Sequence, residues 1–252
     1  MQLEGQNVLV TGGSRGLGLG VVEALVEAGA RVTVLARDPE RLAAVRDRLG
    51  VATLVGDITD RALAREALRA VRPAALVLTA GVTPPMKPIH EITWEDFSAT
   101  WSTDTRAALH WIQEALRLPL PPGSRVLLGS SGAAVAGSPL SGGHAGAKRM
   151  IWLMAHYANG AAAELGLGVR FQVIVPQQMI GDTDHGRVCA GAYAAKRGVS
   201  VESFLAGFGA PLSPRDFGRH VRDILTAPAH EATTAFGVKG DTGLVSLDGA
   251  AR

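Results

Sequence analysis

Residues 7–18 read Asn-Val-Leu-Val-Thr-Gly-Gly-Ser-Arg-Gly-Leu-Gly, and no other stretch limits the fold as strongly. A short apolar run with β-branched residues ends in a glycine-rich turn and passes directly into a helical pattern. Gly12, Gly16 and Gly18 permit a tight turn and let the backbone approach a diphosphate closely. The helix start that follows offers unpaired N–H groups and partial positive charge to an anion. A run that is apolar on both faces needs cover on both sides, so it belongs inside a parallel sheet.

Similar runs recur at Arg31–Ala36, Ala52–Val55, Ala75–Thr79, Arg125–Gly129 and Arg170–Val175, with a last one near Leu244–Leu247. Helical patterns lie between them. Asp38-Pro39 sets a cap before a first-turn proline, and Thr93 and Ser213 each precede an acid by three residues, a variant of the capping box. The alternation predicts one α/β domain over residues 1–252, doubly wound, with a parallel sheet of about seven strands and helices on both faces. It breaks once, at about residues 181–213, after a strand end where ligands bind in such sheets, and that segment reads as a substrate lid.

The composition is that of a globular chain, with 47% hydrophobic and 19% charged residues. A net charge of +2 with dispersed Lys and Arg points away from nucleic acid. Cys189 is the only cysteine, which removes any intrachain disulfide, and no apolar stretch approaches a membrane span, so the expectation is a soluble, cytoplasmic protein. The histidines show no His-x-x-x-His pair, and no metal site is expected. Trp94, Trp101, Trp111 and Trp152 read as core or interface anchors.

The end of the second run decides between nicotinamide cofactors. An acid there suits a ribose 2′-hydroxyl, whereas arginine suits a 2′-phosphate. Here the run ends Leu35-Ala36-Arg37, and Arg15 lies in the glycine turn, so the reading is NADP(H).

With these motifs the chain resembles the short-chain dehydrogenase/reductase family over nearly its whole length, which implies a Rossmann domain. The turn has the family's Thr-Gly-x-x-x-Gly-x-Gly spacing, Asp57 looks like its adenine-contacting acid, and Ala80-Gly81 ends the fourth run as Asn-Ala-Gly does. Thirteen residues after Ser131 comes His144-Ala145-Gly146-Ala147-Lys148, where the family has Tyr-x-x-x-Lys. The resemblance implies cofactor contacts from Gly12, Ser14, Arg15, Gly16, Leu17 and Gly18. It adds Arg37, Asp57, Ile58, Ala80 and Gly81, and then Lys148 and Met179. It implies catalytic roles for Ser131, which orients the substrate, and Lys148, which holds the ribose. His144 stands at the tyrosine position and Asp104 at that of a helix asparagine. Thr79 replaces the asparagine of Asn-Ala-Gly, and Gln177 the glycine that follows Pro176.

Only Tyr157 and Tyr193 could supply a phenol elsewhere. Tyr157 lies about half a helical turn around from the His144–Lys148 face and should pack away from it, while Tyr193 falls in the lid. His144 is therefore expected to act as acid–base, its pKa moved up if Asp104 dominates and down if Lys148 does. His185 is a candidate substrate contact. Met179, Phe204, Leu205 and Phe208 suggest a fairly apolar small-molecule substrate.

Three functions stay open: an NADP(H)-dependent oxidoreductase on a carbonyl, alcohol or imine; an NADP(H)-binding sensor or scaffold without turnover; and a non-redox isomerase or cyclase. The resemblance also suggests a homodimer or homotetramer built on helices at about Thr93–Arg117 and Gly142–Leu165. Trp101, Leu109, Ile112 and Leu116 on one, and Ile151, Met154, Ala158 and Ala162 on the other, are read as surplus apolar surface.

Overall fold

In the computed structural model the glycine turn joins β1 (Asn7–Thr11) to α1 (Gly16–Glu27). Residues 1–118 and 120–251 are described; Pro119 and Arg252, within the span expected to form one domain, lie outside the described residues. The next units are β2 (Arg31–Ala36), α2 (Pro39–Leu49), β3 (Ala52–Val55), α3 (Arg61–Val71) and β4 (Ala75–Leu78). Then come α4 (Trp94–Thr100) and α5 (Arg106–Arg117), joined by a π-helical segment at Trp101–Thr105. β5 (Arg125–Gly129), a short α6 (Ala133–Ala136), α7 (His144–Glu164) and β6 (Arg170–Pro176) follow. The chain ends with α8 (Asp184–Arg197), α9 (Val201–Ala206), α10 (Pro214–Thr226), β7 (Ala235–Lys239) and β8 (Gly243–Ser246).

Among the described residues the sheet has the order β3-β2-β1-β4-β5-β6-β7-β8. β1 pairs in parallel with both β2 and β4, and this reversal of winding opens a crevice at the carboxyl ends of the strands. Alternate side chains of one strand feed two cores, as the period of two requires. Val8 and Val10 join Val21, Leu25, Phe217 and Val221 on one face. Leu9 joins Trp111, Trp152 and Phe171 on the other.

The caps expected from the sequence form. Asp38 accepts from the N–H groups of Glu40 and Arg41, Thr93 from Asp96, and Ser213 from Asp216. The parallel sheet of about seven strands forms, with eight: β7 lies before the last run, with Gly237 at its centre weakening its strand signal, and β8 folds back antiparallel to it as an edge. Three other expectations need correction. The helix expected over Thr93–Arg117 is interrupted by the π segment. Ile112, Ile151, Met154, Ala158 and Ala162 are buried by the chain's own sheet, so of the eight surplus apolar residues only Trp101 and Leu109 are exposed. Tyr157 does face away from the His144 side, but it is 63% exposed and is no packing residue within the chain. Trp111 and Trp152 are core residues, whereas Trp94 is 73% exposed.

α1 and α10 meet backbone to backbone. A Cβ on Gly20 would overlap the Pro214 carbonyl, and one on Gly218 would overlap the Gly20 carbonyl. Replacing Gly20 with Ala is therefore expected to destabilise the protein by about 1–3 kcal/mol, the usual cost of overpacking, despite alanine's better helix propensity. A thermal melt should show the midpoint falling by several degrees.

Candidate active site

The crevice deepens into a cavity of about 1290 Å³ that runs from the glycine turn to α8 and α9. At the turn, Gly12 has a φ of 74°, and a Cβ there would lie 2.7 Å from the Ala80 backbone. Thr79 Oγ1 donates to the Thr11 carbonyl at 2.7 Å, tying β4 to the turn. A side chain on Gly18 would strike both Thr79 and the Gly12 carbonyl. The backbone is thus drawn into a cradle facing the start of α1, with Gly12, Ser14, Arg15, Gly16, Leu17 and Gly18 on its wall. Such a cradle suits a diphosphate.

One end of the cavity is basic. Arg15, Arg37 and Arg41 all line it. Arg15 Nη1 lies 2.8 Å from Asp184 Oδ2, and Arg41 Nη1 lies 3.9 Å from the same oxygen, so two of the cations already share a carboxylate from the first turn of α8. Asp57 and Ile58 line this end too. Asp57 accepts from the Thr59 N–H and hydroxyl, both at 2.8 Å, and these bonds hold its carboxyl below the usual range.

The other end holds Ser131, His144, Lys148 and Asp104 together, as expected; Ala80, Gly81 and Met179 line the cavity between the two ends. Asp104 sits in the π segment, which turns its carboxylate inward. Oδ1 accepts from the Val82 N–H at 2.9 Å, and Oδ2 lies 2.8 Å from Lys148 Nζ. Ser131 Oγ accepts from the Ala133 N–H at 3.2 Å. His144 is the first residue of α7 and is 4% exposed, with its Nδ1 buried and without a partner. Burial, then the Lys148 cation, then His185, push the imidazole down to about 3. The downward alternative therefore applies. Asp104 does not restore the charged ring, because Lys148 already engages its carboxylate. An imidazolium acid titrating near neutrality is not what this geometry provides.

The segment expected as a lid consists of α8, α9 and their loops. Thr183 caps α8 by accepting from the Gly186 N–H at 2.9 Å. Tyr193 turns to the cavity, with its hydroxyl 2.7 Å from Ser138 Oγ and accepting from the Leu140 N–H at 3.3 Å. It stacks on Phe204, which with Phe208 and Met179 supplies apolar wall. Leu205 instead docks the segment near Gly181. Gln177 keeps the backbone bond expected at a strand end, its N–H donating to the Val238 carbonyl at 2.9 Å, and its side chain lies over Gly237 where a Cβ would clash.

Sequence reasoning missed Arg41 and Asp184. Arg41 lies four residues past Arg37, in the first turn of α2, and Asp184 opens α8. Among the described residues no three His, Cys, Asp or Glu side chains are grouped to hold a metal, and no helix is long and apolar enough to cross a membrane.

A family model described as short chain dehydrogenase matches residues 6–187. The NADP-dependent 3-hydroxy acid dehydrogenase YdfG of Salmonella typhi is 30% identical over 234 residues, covering 88% of this chain and 90% of its own. The L-xylulose reductase of Bos taurus is 33% identical over 118 residues, covering 46% of this chain; the matched part spans about half of that relative, 48%. A solved short-chain type dehydrogenase/reductase from Mycobacterium ulcerans superposes with a TM-score of 0.79 at 25% identity, covering 95% of this chain and 90% of that one.

The depressed imidazole has a consequence for stability. The unfolded chain takes up a proton near pH 6.5, and the folded one only near 3. Stability is present above about 6.5 and is lost as pH falls through that window, at most by about 1.4 kcal/mol per pH unit. His144→Phe should flatten this part of a pH series of denaturant melts, and the His144 ring should stay neutral in an NMR titration down to at least pH 5.

Proposed function

The chain belongs to the short chain dehydrogenase family, and from that premise we propose that it is an NADP(H)-dependent oxidoreductase acting on a carbonyl, alcohol or imine of a small, fairly apolar molecule. The observation that carries this reading is the continuous cavity. It joins a backbone cradle of the right shape for a diphosphate, a basic end formed by Arg15, Arg37 and Arg41, and a chemical end formed by Ser131, His144 and Lys148. The NADP dependence of the Salmonella relative agrees with it.

The bound dinucleotide supplies hydride chemistry at its nicotinamide. The chain's own residues bind, orient and polarise. The start of α1 faces the diphosphate, Asp57 meets the adenine, and Arg37 with Arg41 meets a 2′-phosphate. Lys148, braced by Asp104, holds the ribose. Ser131 and His144 grip the substrate oxygen. Because the ring is neutral, His144 polarises a carbonyl by hydrogen bonding rather than by surrendering a proton from a cation, a role that a neutral histidine with a depressed pKa performs well. The proton that completes an alcohol reaches the oxygen from water in the roomy cavity. Residues 181–213 form the substrate lid, with Phe204, Phe208 and Tyr193 on its inner side.

A second reading rests on the same neutral ring: a family member that binds NADP(H) without turnover. The two readings separate on His144. If the protein is a reductase, His144→Ala should lower kcat by a factor on the order of 10² with little change in NADPH affinity, as loss of one donor to a developing oxyanion does. His144→Tyr should remain active with NADPH across a panel of ketones. A wild type that binds NADPH and reduces none of them supports the second reading.

NADPH should bind more than tenfold tighter than NADH in a fluorescence titration, since charge-assisted contacts contribute about 1.5–3 kcal/mol each. Arg37→Asp should reverse the order; equal dissociation constants in the wild type would refute the assignment. The chain should also self-associate as a dimer or tetramer through α4, α5 and α7, where Trp101, Leu109, Tyr157 and Leu165 leave apolar surface in water. Light scattering at micromolar concentration tests this, and a monomeric mass would end it.

A further inference from the structure

His185 has no part in the family pattern, yet it shares the chemical end of the cavity with His144. The two ring centroids lie 5.8 Å apart with planes tilted by 41°, and no hydrogen bond joins them. The rings come from different elements, one opening α7 and the other in the first turn of α8. That separation suits a single acceptor between them. Both rings line the one cavity, so an oxygen placed between them can accept from a nitrogen of each. His144 Nδ1 is buried and unpartnered, which leaves Nε2 as the edge that meets a ligand.

His185 is held in place. Thr183 caps its helix, and Asp184 ties the same turn to Arg15. Gly186 lies so close to the Ile180 carbonyl that a Cβ would not fit. The segment's start is thus pinned against the cofactor turn, and His185 points at the same space as His144. The charged groups that face the pair are Lys148 and Asp104; the Asp184 carboxylate is taken up by Arg15 and Arg187.

Resting on the oxidoreductase reading above, we propose that His185 is a further catalytic residue: with His144 it clasps the reacting oxygen of the substrate between two imidazoles, one at the start of α7 and one in the first turn of α8. Ser131 then orients the substrate rather than bearing the developing charge alone. The two donors come from separate elements, so the oxygen is gripped from both sides only where the start of α8 is pinned against the glycine turn. Burial, then Lys148, hold the His185 ring below its ordinary pKa while Asp104 opposes them, and the neutral ring remains a donor at neutral pH.

The test uses His185→Phe, which keeps the ring's bulk, and His185→Gln, which restores an N–H donor. With NADPH and a panel of aliphatic and aryl ketones, His185→Phe should cut kcat by ten- to a hundredfold. NADPH affinity, read separately by fluorescence, should be unchanged. His185→Gln should recover a substantial part of the rate. An active wild type whose His185→Phe variant keeps full kcat, or a His185→Gln variant no faster than His185→Phe, overturns this proposal and leaves the oxidoreductase reading standing. A wild type inert toward every ketone while binding NADPH overturns both.

Discussion

An ammonium and a carboxylate 2.8 Å apart, both largely withdrawn from water, set the electrostatics of the chemical end. Were Lys148 alone, its charge would dominate every neighbour and favour an anion beside it, as a phenolate would be. Asp104 cancels much of that field. The site then has no excess positive charge with which to stabilise a tyrosinate, and at position 144 there is no tyrosine to stabilise. The two departures belong together: an imidazole beside an unneutralised lysine would be still harder to protonate, and a phenol beside a neutralised one would be a weaker acid. The π segment makes the pairing possible by turning Asp104 out of the regular helical path and into the cavity.

Most of the architecture was legible because it depends on local patterns. Apolar runs on both faces, helix caps such as Asp38 and Ser213, and the glycine turn are each decided by residues close in sequence. β7 was not legible, because Gly237 interrupts its apolar run and its partner β6 is distant in the chain. Nor was the burial of Ile112 and Ile151: helical periodicity shows that a face is apolar, but not whether sheet or solvent will meet it.

At the site the pattern was similar. Ser131, His144, Lys148 and Asp104 were predicted to converge, and they do, because their spacing on strand ends and helix faces fixes their direction. The state of His144 was left open by the sequence. It depends on desolvation and on which partner Asp104 prefers, both long-range properties. Asp184 and Arg15 lie 169 residues apart, and their contact is set by where α8 begins after β6, which composition does not disclose.

The side chain of Gln177 rests where β7 has no side chain of its own. Positions 177 and 237 therefore behave as one unit of sequence change. A residue with a Cβ at 237 evicts the glutamine, and a glycine at 177 strips cover from the end of β7. Among descendants and relatives of this chain the two positions should change in step, and a sequence that carries one change without the other will have had to move the floor of the cavity to do so.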